Sequence, residues 1–335
     1  MKYSFFVIAV LLSVPAIFAQ HHFNIIRIHL PEDVKYYDNQ FSGLQIANGR
    51  LYLMSESRLQ DKQEAKLYSV DLTQLERYKK DTTYVLHFRK HNIIGLDNLA
   101  TKMKLQEQVY EGLEAMYIRG NSIYFSVETN TPSPLCYLLK GRFVNNDIYL
   151  SSMLTPVSKP RKPNGSSIYN AGFEAITAIN NKLFTFYEYN YFDNKNEVYS
   201  YDTSLSKATG RHYPIQKLPF RITDVTPAGN HHYTAINYFY KGDGEDTVYR
   251  VPSTDKVNYS LIQDSDKYYN YCRLIDIYFD GKRFTWKPLW QFPQEYMGYN
   301  WEGIAADANG YYIINDKYTP ARPYASVLLY LEHKK

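Results

Sequence analysis

One serine and four acidic residues occupy the same place in a short motif that recurs along the chain. In each copy an aromatic or hydroxyl residue comes first, a polar residue second, a small residue third and usually an aliphatic residue fourth. The polar residues are Ser42, Glu111, Glu174, Asp224 and Glu302. Carboxylates held close together cannot all ionise without a counter-charge, so either their pKa values rise or a cation binds among them. Because hard oxygen ligands suit calcium better than magnesium or zinc, we predict a calcium site, with a water-filled acidic pore as the alternative.

A second set of acids follows the first at a nearly constant distance. In three copies an acid lies fourteen residues after the polar residue of the motif, and in the second copy it lies slightly further on. These acids are Glu56, Glu128, Glu188 and Asp316, whereas the copy at Asp224 has Tyr238 at this place. Singly, each would be an ordinary solvated acid at the end of a strand. Their common spacing predicts a functional rim instead.

Two of the rim acids are candidate general bases, and polar residues near the rim are candidate ligand contacts. Glu128 and Glu188 are the predicted catalytic pair. The predicted ligand-binding residues are Glu56, Arg58, Asn130, Asn190, Asp316, Lys317 and Arg322. The sequence contains no Gly-x-Ser-x-Gly elbow and no Cys/His zinc spacing, so covalent catalysis has no candidate nucleophile.

The elements that must position these residues repeat every 50 to 80 residues or so. After each motif come a turn rich in Asn and Gly and an apolar or aromatic strand, and further strands follow in most repeats. Such a repeat is typical of a propeller blade, whose innermost strand lines a central channel. We therefore predict an all-β fold, a single five-bladed β-propeller. The strand at 23–30 would complete the last blade and hide two strand edges.

The interval between the fourth and fifth motifs is the weak point of this blade count. It contains two candidate third strands, Thr247–Arg250 and Arg273–Ile277. Either an insertion interrupts the fourth blade, or a degenerate sixth blade is present. We favour the insertion.

The N-terminal residues have the pattern of an export signal. Lys2, an apolar run and the small-residue site that ends at Ala19 predict a signal peptide over 1–19, with the mature domain over 20–335. We expect a periplasmic or secreted product. Cys136 and Cys272 fall in blades that are not neighbours, so we expect two buried free thiols although export permits disulfides.

Charge and composition exclude several classes of partner. The net charge is +4, and Lys and Arg are dispersed, so nothing indicates a nucleic-acid or membrane surface. No apolar run is long enough to span a bilayer. We expect a monomer whose partner is a small molecule or a protein ligand.

The motifs also resemble those of known propeller families. Glu-Gly-Leu or Glu-Gly-Ile followed by an apolar hairpin resembles phytase-like exported propellers. The order Ser, Glu, Glu, Asp, Glu is similar to that of the calcium-activated nucleotidases (apyrases), five-bladed rings with an axial calcium. This resemblance implies that Ser42, Glu111, Glu174, Asp224 and Glu302 form the ligand ring. The nucleotidases have a serine where this chain has Asp224, and their phosphate-binding motifs have no match here.

Two functional classes follow from these residues. The first is an exported propeller with an axial calcium that binds a ligand or partner at its acidic, aromatic mouth. The second is a calcium-dependent hydrolase of phosphate esters or anhydrides, in which the metal activates a water and Arg58 or Arg322 binds the substrate. The acids at the mouth outnumber the arginines, which disfavours an anionic substrate without a metal.

Overall fold

The computed structural model describes residues 23–59, 64–206, 210–320 and 324–334, and it is all-β with three short helices. The strands are β1 (Phe23–Ile28), β2 (Phe41–Ala47), β3 (Arg50–Ser55), β4 (Lys66–Asp71), β5 (Arg89–Ile94), β6 (Tyr110–Arg119), β7 (Ser122–Thr129), β8 (Leu135–Val144), β9 (Asp147–Leu150), β10 (Thr155–Ser158), β11 (Phe173–Ile179), β12 (Lys182–Tyr187), β13 (Glu197–Asp202), β14 (Arg211–Pro214), β15 (Arg221–Gly229), β16 (His232–Phe239), β17 (Gln263–Asp264), β18 (Lys267–Tyr268), β19 (Tyr271–Phe279), β20 (Phe284–Gln291), β21 (Trp301–Ala306), β22 (Gly310–Asn315) and β23 (Leu328–His333). The helices are α1 (Leu72–Lys80), α2 (Leu96–Lys104) and α3 (Lys256–Ile262). None of these helices is long and apolar enough to cross a membrane. The predicted signal peptide and Arg322 lie outside the described residues.

The repeats fold into four-stranded antiparallel units arranged around an axis. The units are β2 to β5, β6 to β9, β11 to β14, then β15, β16, β19 and β20, and finally β21, β22, β23 and β1. The first strand of each unit contacts the first strands of the units before and after it, and contact between β21 and β2 closes the ring. This arrangement is the predicted β-propeller. A parallel pairing of β5 with β9 joins the first two units into one sheet, so the count of five blades stays a prediction.

The N-terminal strand completes the last unit. β1 pairs antiparallel with β23, from Phe23 opposite His333 to Ile28 opposite Leu328. Ile28 packs in the same buried core as Leu328 and Tyr330. This pairing covers an edge of β23 that would otherwise be exposed, as predicted.

An insertion accounts for the long interval in the fourth unit. Thr247–Arg250 was predicted as a candidate strand, but Gly244–Tyr249 forms a 3-10 helix. Arg273–Ile277 falls within β19, the third strand of the unit. Between β16 and β19 the chain also forms α3 and the hairpin of β17 and β18.

Each motif marks a β-bulge in the first strand of its unit. The pairing register skips Ser42, Glu111, Glu174, Thr223 and Glu302. A bulge leaves one residue unpaired and re-aims its side chain, which is why polar residues recur there. In the fourth unit the skipped residue is Thr223, so Asp224 lies one place later than its predicted equivalents. In the second unit a second bulge skips Glu114.

The aromatic and small residues of the motif have packing roles. Phe41, Phe173 and Trp301 are each buried, and they anchor the first strands in the core. A Cβ atom at Gly303 would lie 2.9 Å from the carbonyl carbon of Gly43 in the neighbouring unit, so the small residue permits close approach near the axis. Cys136 and Cys272 are buried free thiols, as predicted.

Candidate functional site

An acidic cavity of about 250 Å³ lies where the first strands converge, and we call it the chamber. Its lining residues are Gln40, Glu56, Arg58, Glu114, Glu128, Asn170, Glu174, Glu188, Arg221, Asn300, Glu302, Asp316 and Tyr318. Seven of these side chains are carboxylic acids and two are arginines. The chamber therefore holds a large excess of negative charge if its acids ionise, and that excess must be offset by protons or by a cation.

The same backbone hydrogen bond fixes three of the rim acids. The amides of Glu56 and Glu188 each donate to the residue sixteen places earlier, Gln40 and Gly172, at 2.9 Å, and Asp316 does the same to Asn300 at 3.0 Å. These bonds tie the end of the second strand to the start of the first. The equal spacing in the sequence therefore reflects equivalent positions, and the four predicted rim acids all line the chamber. They are buried, contrary to the solvated alternative.

Two rim acids are neutralised by arginine. Arg58 forms a short ion pair with Glu56. Arg221 donates to Glu188 at 2.7 Å, and the hydroxyl of Tyr249 donates to the other carboxylate oxygen at 2.6 Å. Burial raises the pKa of Glu188, whereas Arg221 and the bond from Tyr249 lower it. Because these partners engage both oxygens of Glu188, Glu128 is the better candidate for a general base.

Three other acids lie together without such partners. Carboxylate oxygens of Glu114, Glu128 and Glu174 all lie within 4.8 Å of one another. All three side chains are buried, and Oε1 of Glu114 has no hydrogen-bond partner among the described residues. Burial raises the pKa of Glu128 to about 7, and burial together with the neighbouring carboxylates raises the pKa values of Glu114 and Glu174 well above the ordinary range. We call these three residues the glutamate triad.

Only some of the five predicted metal ligands line the chamber. Glu174 and Glu302 line the chamber as predicted, but Glu111 does not, because the second bulge aims Glu114 there instead. The hydroxyl of Ser42 donates to the carbonyl of Leu113 at 2.7 Å. Ser42 therefore joins two units and does not line the chamber.

Asp224 is also engaged by the fold. One carboxylate oxygen accepts from the amides of Ile304 at 2.8 Å and Leu44 at 3.3 Å, and the other accepts from Val225 at 2.7 Å. Its carboxylate thus connects three first strands, β15, β21 and β2, and it does not line the chamber. The one-residue offset of the bulge explains why this acid faces backbone amides.

Some of the predicted ligand-binding residues line the chamber, and others have structural roles instead. Glu56, Arg58 and Asp316 line the chamber, whereas Asn130, Asn190 and Lys317 do not. Asn130 exchanges hydrogen bonds with Val109, its side-chain oxygen accepting at 3.1 Å, and Asn190 is buried and donates to the carbonyl of Tyr187 at 2.5 Å. Both asparagines therefore make hydrogen bonds to the backbone just beyond the end of a strand, Asn130 after β7 and Asn190 after β12.

Sequence reasoning missed Glu114 and Arg221, and each has a recognisable signal. Glu114 is a second acid in the same first strand as Glu111, two places beyond the motif glycine and directly before the apolar residues Ala115 and Met116. Arg221 is a base three residues before Asp224, the polar residue of the fourth motif. Its guanidinium also lies 3.8 Å over the ring of Tyr249, which is supplied by the insertion.

A larger cleft of about 660 Å³ opens above the chamber, and we call it the outer cleft. It shares Asn170, Arg221, Asn300 and Tyr318 with the chamber, so the two spaces meet at these residues. Its walls come from β16, the insertion, the segment before β21 and the segment after β22. Those walls contribute Tyr238, Tyr240, Lys241, Asp246, Tyr269, Asn270, Gln294, Met297, Gly298, Thr319, Pro320 and Tyr324.

The acids of the chamber should make stability depend on pH when no cation is present. Burial raises the pKa of Glu128 from 4.5 to about 7 and that of Asp316 from 3.8 to about 7. A raised folded-state pKa contributes stability below the unfolded-state value, and that contribution is lost as the pH rises through about 7. In chelator, we expect the free energy of unfolding to be lower at pH 8 than at pH 5, by on the order of 2 kcal/mol.

Urea unfolding at the two pH values measures this difference. The double variant Glu128→Gln, Asp316→Asn removes both titrations, so its difference should be smaller. An equal or greater stability of the parent protein at pH 8 would contradict the assignment.

No family model and no curated protein matches this sequence. Similar solved structures include an alpha-L-arabinanase of Cellvibrio cellulosa complexed with arabinohexaose, with 9% identity and a TM-score of 0.47 over 90% of this chain and 93% of that one. A GH43 beta-xylosidase/alpha-arabinofuranosidase from a compost microbial metagenome has 9% identity and a TM-score of 0.46 over 92% and 95% of the two chains. The Malassezia sympodialis allergen Mala s 1 has 12% identity and a TM-score of 0.43 over 88% and 78%. At TM-scores below 0.5 these similarities carry no argument about the activity of this chain.

Proposed function

We propose that this chain is an exported β-propeller that binds calcium in its axial chamber and a ligand at the mouth above it. The glutamate triad is the observation that supports the calcium site. Two rim acids have arginine partners, but Glu114, Glu128 and Glu174 have no cation of this kind bonded to them among the described residues. A bound cation would satisfy Oε1 of Glu114, which has no other partner there.

The ligand chemistry of the triad suits calcium. Opposite ligands of one calcium ion are roughly 4.6–5.2 Å apart, twice the calcium–oxygen distance. The triad oxygens lie within 4.8 Å of one another, so one ion can contact all three after small side-chain rotations. Magnesium demands near-ideal octahedral geometry and retains most of its water, which a buried group of three carboxylates does not favour. When bound, the cation would lower the pKa values of these acids by stabilising their ionised forms.

Terbium luminescence tests this site directly. Terbium can substitute for calcium because it also prefers oxygen ligands. A nearby tyrosine that absorbs light can transfer the energy to bound terbium, so the emission of terbium reports binding. Tyr187 is close to the triad in the fold, since it pairs with Phe173, the residue directly before Glu174. We expect Glu114→Gln and Glu174→Gln each to weaken terbium binding tenfold or more, because each removes a charged ligand.

Two controls sharpen the result. Calcium should displace terbium from the parent protein, and magnesium at the same concentration should not. Glu107→Gln changes an exposed acid outside the chamber and should leave binding unchanged. Equal binding by the triad variants and the parent would refute the site.

A calcium-dependent hydrolase of phosphate esters or anhydrides is the second candidate. It is favoured by Glu128, a buried acid whose pKa of about 7 suits a general base near neutral pH. In this candidate Arg58 would contact the substrate. Glu128 then acts on a water rather than as a metal ligand.

We expect Glu128→Gln to lower any such turnover by about a hundredfold or more, the effect of losing general-base catalysis. Glu188→Gln should instead destabilise the fold by about 1–3 kcal/mol, because it weakens a buried pair with Arg221. The measurement is a screen of nucleotides and phosphate esters with and without calcium, with urea unfolding of both variants. Absence of turnover in the parent protein across that screen would reject the hydrolase.

A further inference from the structure

The junction between the chamber and the outer cleft is rich in hydrogen-bond acceptors that the fold does not use. Glu302 faces the chamber with no side-chain hydrogen bond or ion pair among the described residues. Asp316 lines the same chamber, and the residues directly before the two acids, Trp301 and Asn315, are paired across β21 and β22. Neither acid belongs to the glutamate triad.

Asn300 orients one acid and leaves a further acceptor. Its side-chain nitrogen donates to Oδ2 of Asp316 at 3.2 Å. The side-chain oxygen of Asn300, Oδ1, accepts no hydrogen bond from the described residues. Asn300 lines both the chamber and the outer cleft, so it is a residue of the junction.

Tyr238 is a second and independent sign of a ligand. Its side chain is only 2% exposed, lines the outer cleft, and has no hydrogen-bond partner for its hydroxyl among the described residues. Buried tyrosine hydroxyls normally find a partner. Tyr238 takes the place that an acid occupies in the other units. Tyr238 belongs to β16, which contacts β21, the strand that carries Glu302.

The basic residues at the junction do not supply the missing donors. Arg221 donates to Glu188 at 2.7 Å and to Asp246 at 3.2 Å, so its charge is matched by two carboxylates and only its Nε–H group lacks an acceptor among the described residues. Lys241 is exposed at the outer cleft. The unmet need at the junction is therefore for a group that brings positive charge and several N–H donors.

The outer cleft offers aromatic surface for the rest of such a ligand. Tyr240, Tyr269 and Tyr318 are 45%, 46% and 46% exposed, and all three line this cleft. A tyrosine ring attracts an organic cation and provides apolar contact for its carbon skeleton. These tyrosines come from the insertion and from the segment after β22.

We propose that the outer cleft binds an organic primary amine, with its ammonium at the junction bonded to Glu302, Tyr238 and Asn300 and its carbon skeleton against the exposed tyrosines. An ammonium has three N–H donors and no acceptor, which matches this set of acceptors. The inference rests on the ligand-binding mouth of the proposed function, and it does not require calcium in the triad.

Calorimetry with 2-phenylethylamine tests the proposal, with 2-phenylethanol as the neutral probe of matched shape. We expect the amine to bind at least tenfold more tightly than the alcohol. Glu302→Gln should weaken amine binding at least tenfold, because it removes the charge while keeping the shape. Tyr238→Phe should weaken it several-fold, because it removes only the hydroxyl. Tyr278→Phe changes an exposed tyrosine outside the cleft and should have no effect.

Three results of the calorimetry would overturn the assignment. They are equal affinity for the amine and the alcohol, unchanged amine binding in both Glu302→Gln and Tyr238→Phe, and absence of binding at millimolar amine. Terbium titration of the same proteins separates this inference from the calcium proposal. Amine binding without terbium binding would reject the calcium proposal and leave the amine proposal standing. Displacement of terbium by the amine would place the amine in the triad and would reject the proposed amine site at the junction.

Discussion

Calcium should raise the melting temperature of the parent protein, and Glu174→Gln should remove most of that increase. The triad residues come from β6, β7 and the first strand of the third unit, so the site exists only when neighbouring units are packed together. A ligand that binds only the folded state stabilises it by about 2.7 kcal/mol at a hundred times its dissociation constant. For a domain of this size each kcal/mol corresponds to roughly 2–4 °C, so the expected increase is roughly 5–10 °C.

The same variant should behave differently in chelator. At pH 8 the triad either ionises with mutual repulsion or retains protons against the solvent, and no bonded cation offsets this cost. Glu174→Gln removes one of these charges, so the variant in chelator should melt at a higher temperature than the parent protein in chelator. A crossover, with the variant more stable without calcium and the parent more stable with it, is the specific signature of a cation site.

Thermal unfolding at pH 8, in chelator and in a series of calcium concentrations, measures this crossover. Glu107→Gln is the matched control and should follow the parent protein in both conditions. If chelator leaves the melting curve of the parent unchanged, the chamber is an acidic pore without a calcium site.

Asp224→Ala should lower the free energy of unfolding by about 3 kcal/mol or more, because it leaves three buried backbone amides without an acceptor. These amides belong to Leu44, Val225 and Ile304, on three different first strands. Each unsatisfied buried group costs about 1–3 kcal/mol. The loss should be similar with and without calcium, because Asp224 does not line the chamber.

Ser42→Ala is the matched comparison for Asp224→Ala. Ser42 also joins two units, but through a single hydroxyl that donates to Leu113. We expect a loss of about 1 kcal/mol, the usual contribution of one hydrogen bond. Asp224→Asn retains one acceptor and should fall between the two, which keeps the measurement informative if Asp224→Ala does not fold. Equal effects of Asp224→Ala and Ser42→Ala in urea unfolding would show that the three amides do not depend on this carboxylate.

The sequence predicted the repeat, the motif and the closing strand, because each has a local signature. A bulge needs a residue that tolerates being unpaired, and the close approach of first strands needs a small residue beside it. Those two requirements produce the recurring motif, with Gly43 and Gly303 as its clearest small residues. The pairing of β1 with β23 could be predicted because the last repeat lacked one strand.

The details of the site depend on how the first strand of each unit pairs with the second, residue by residue. The positions of the bulges in this pairing have no local signature in a single sequence. One extra bulge brings Glu114 into the chamber in place of Glu111, and a one-residue offset turns Asp224 toward backbone amides. Helix α2 was not predicted either, although Leu96, Leu99 and Met103 bury one face of it. Arg221 acquires its role from Glu188 and Asp246, which lie 33 and 25 residues away in the chain.

The pairing of β1 with β23 also bears on the order of folding. It joins segments as distant as Asn24 and Glu332, which are 308 residues apart, whereas the other strands of the last unit are close in sequence. Contacts between distant segments form slowly because loop closure costs entropy before the contact repays it. β1 therefore stays without its partner strand until β23 has been synthesised. Until this pairing forms, the strand edges that it covers are open to pairing with other chains, so closure of the ring is the step that removes this risk of aggregation.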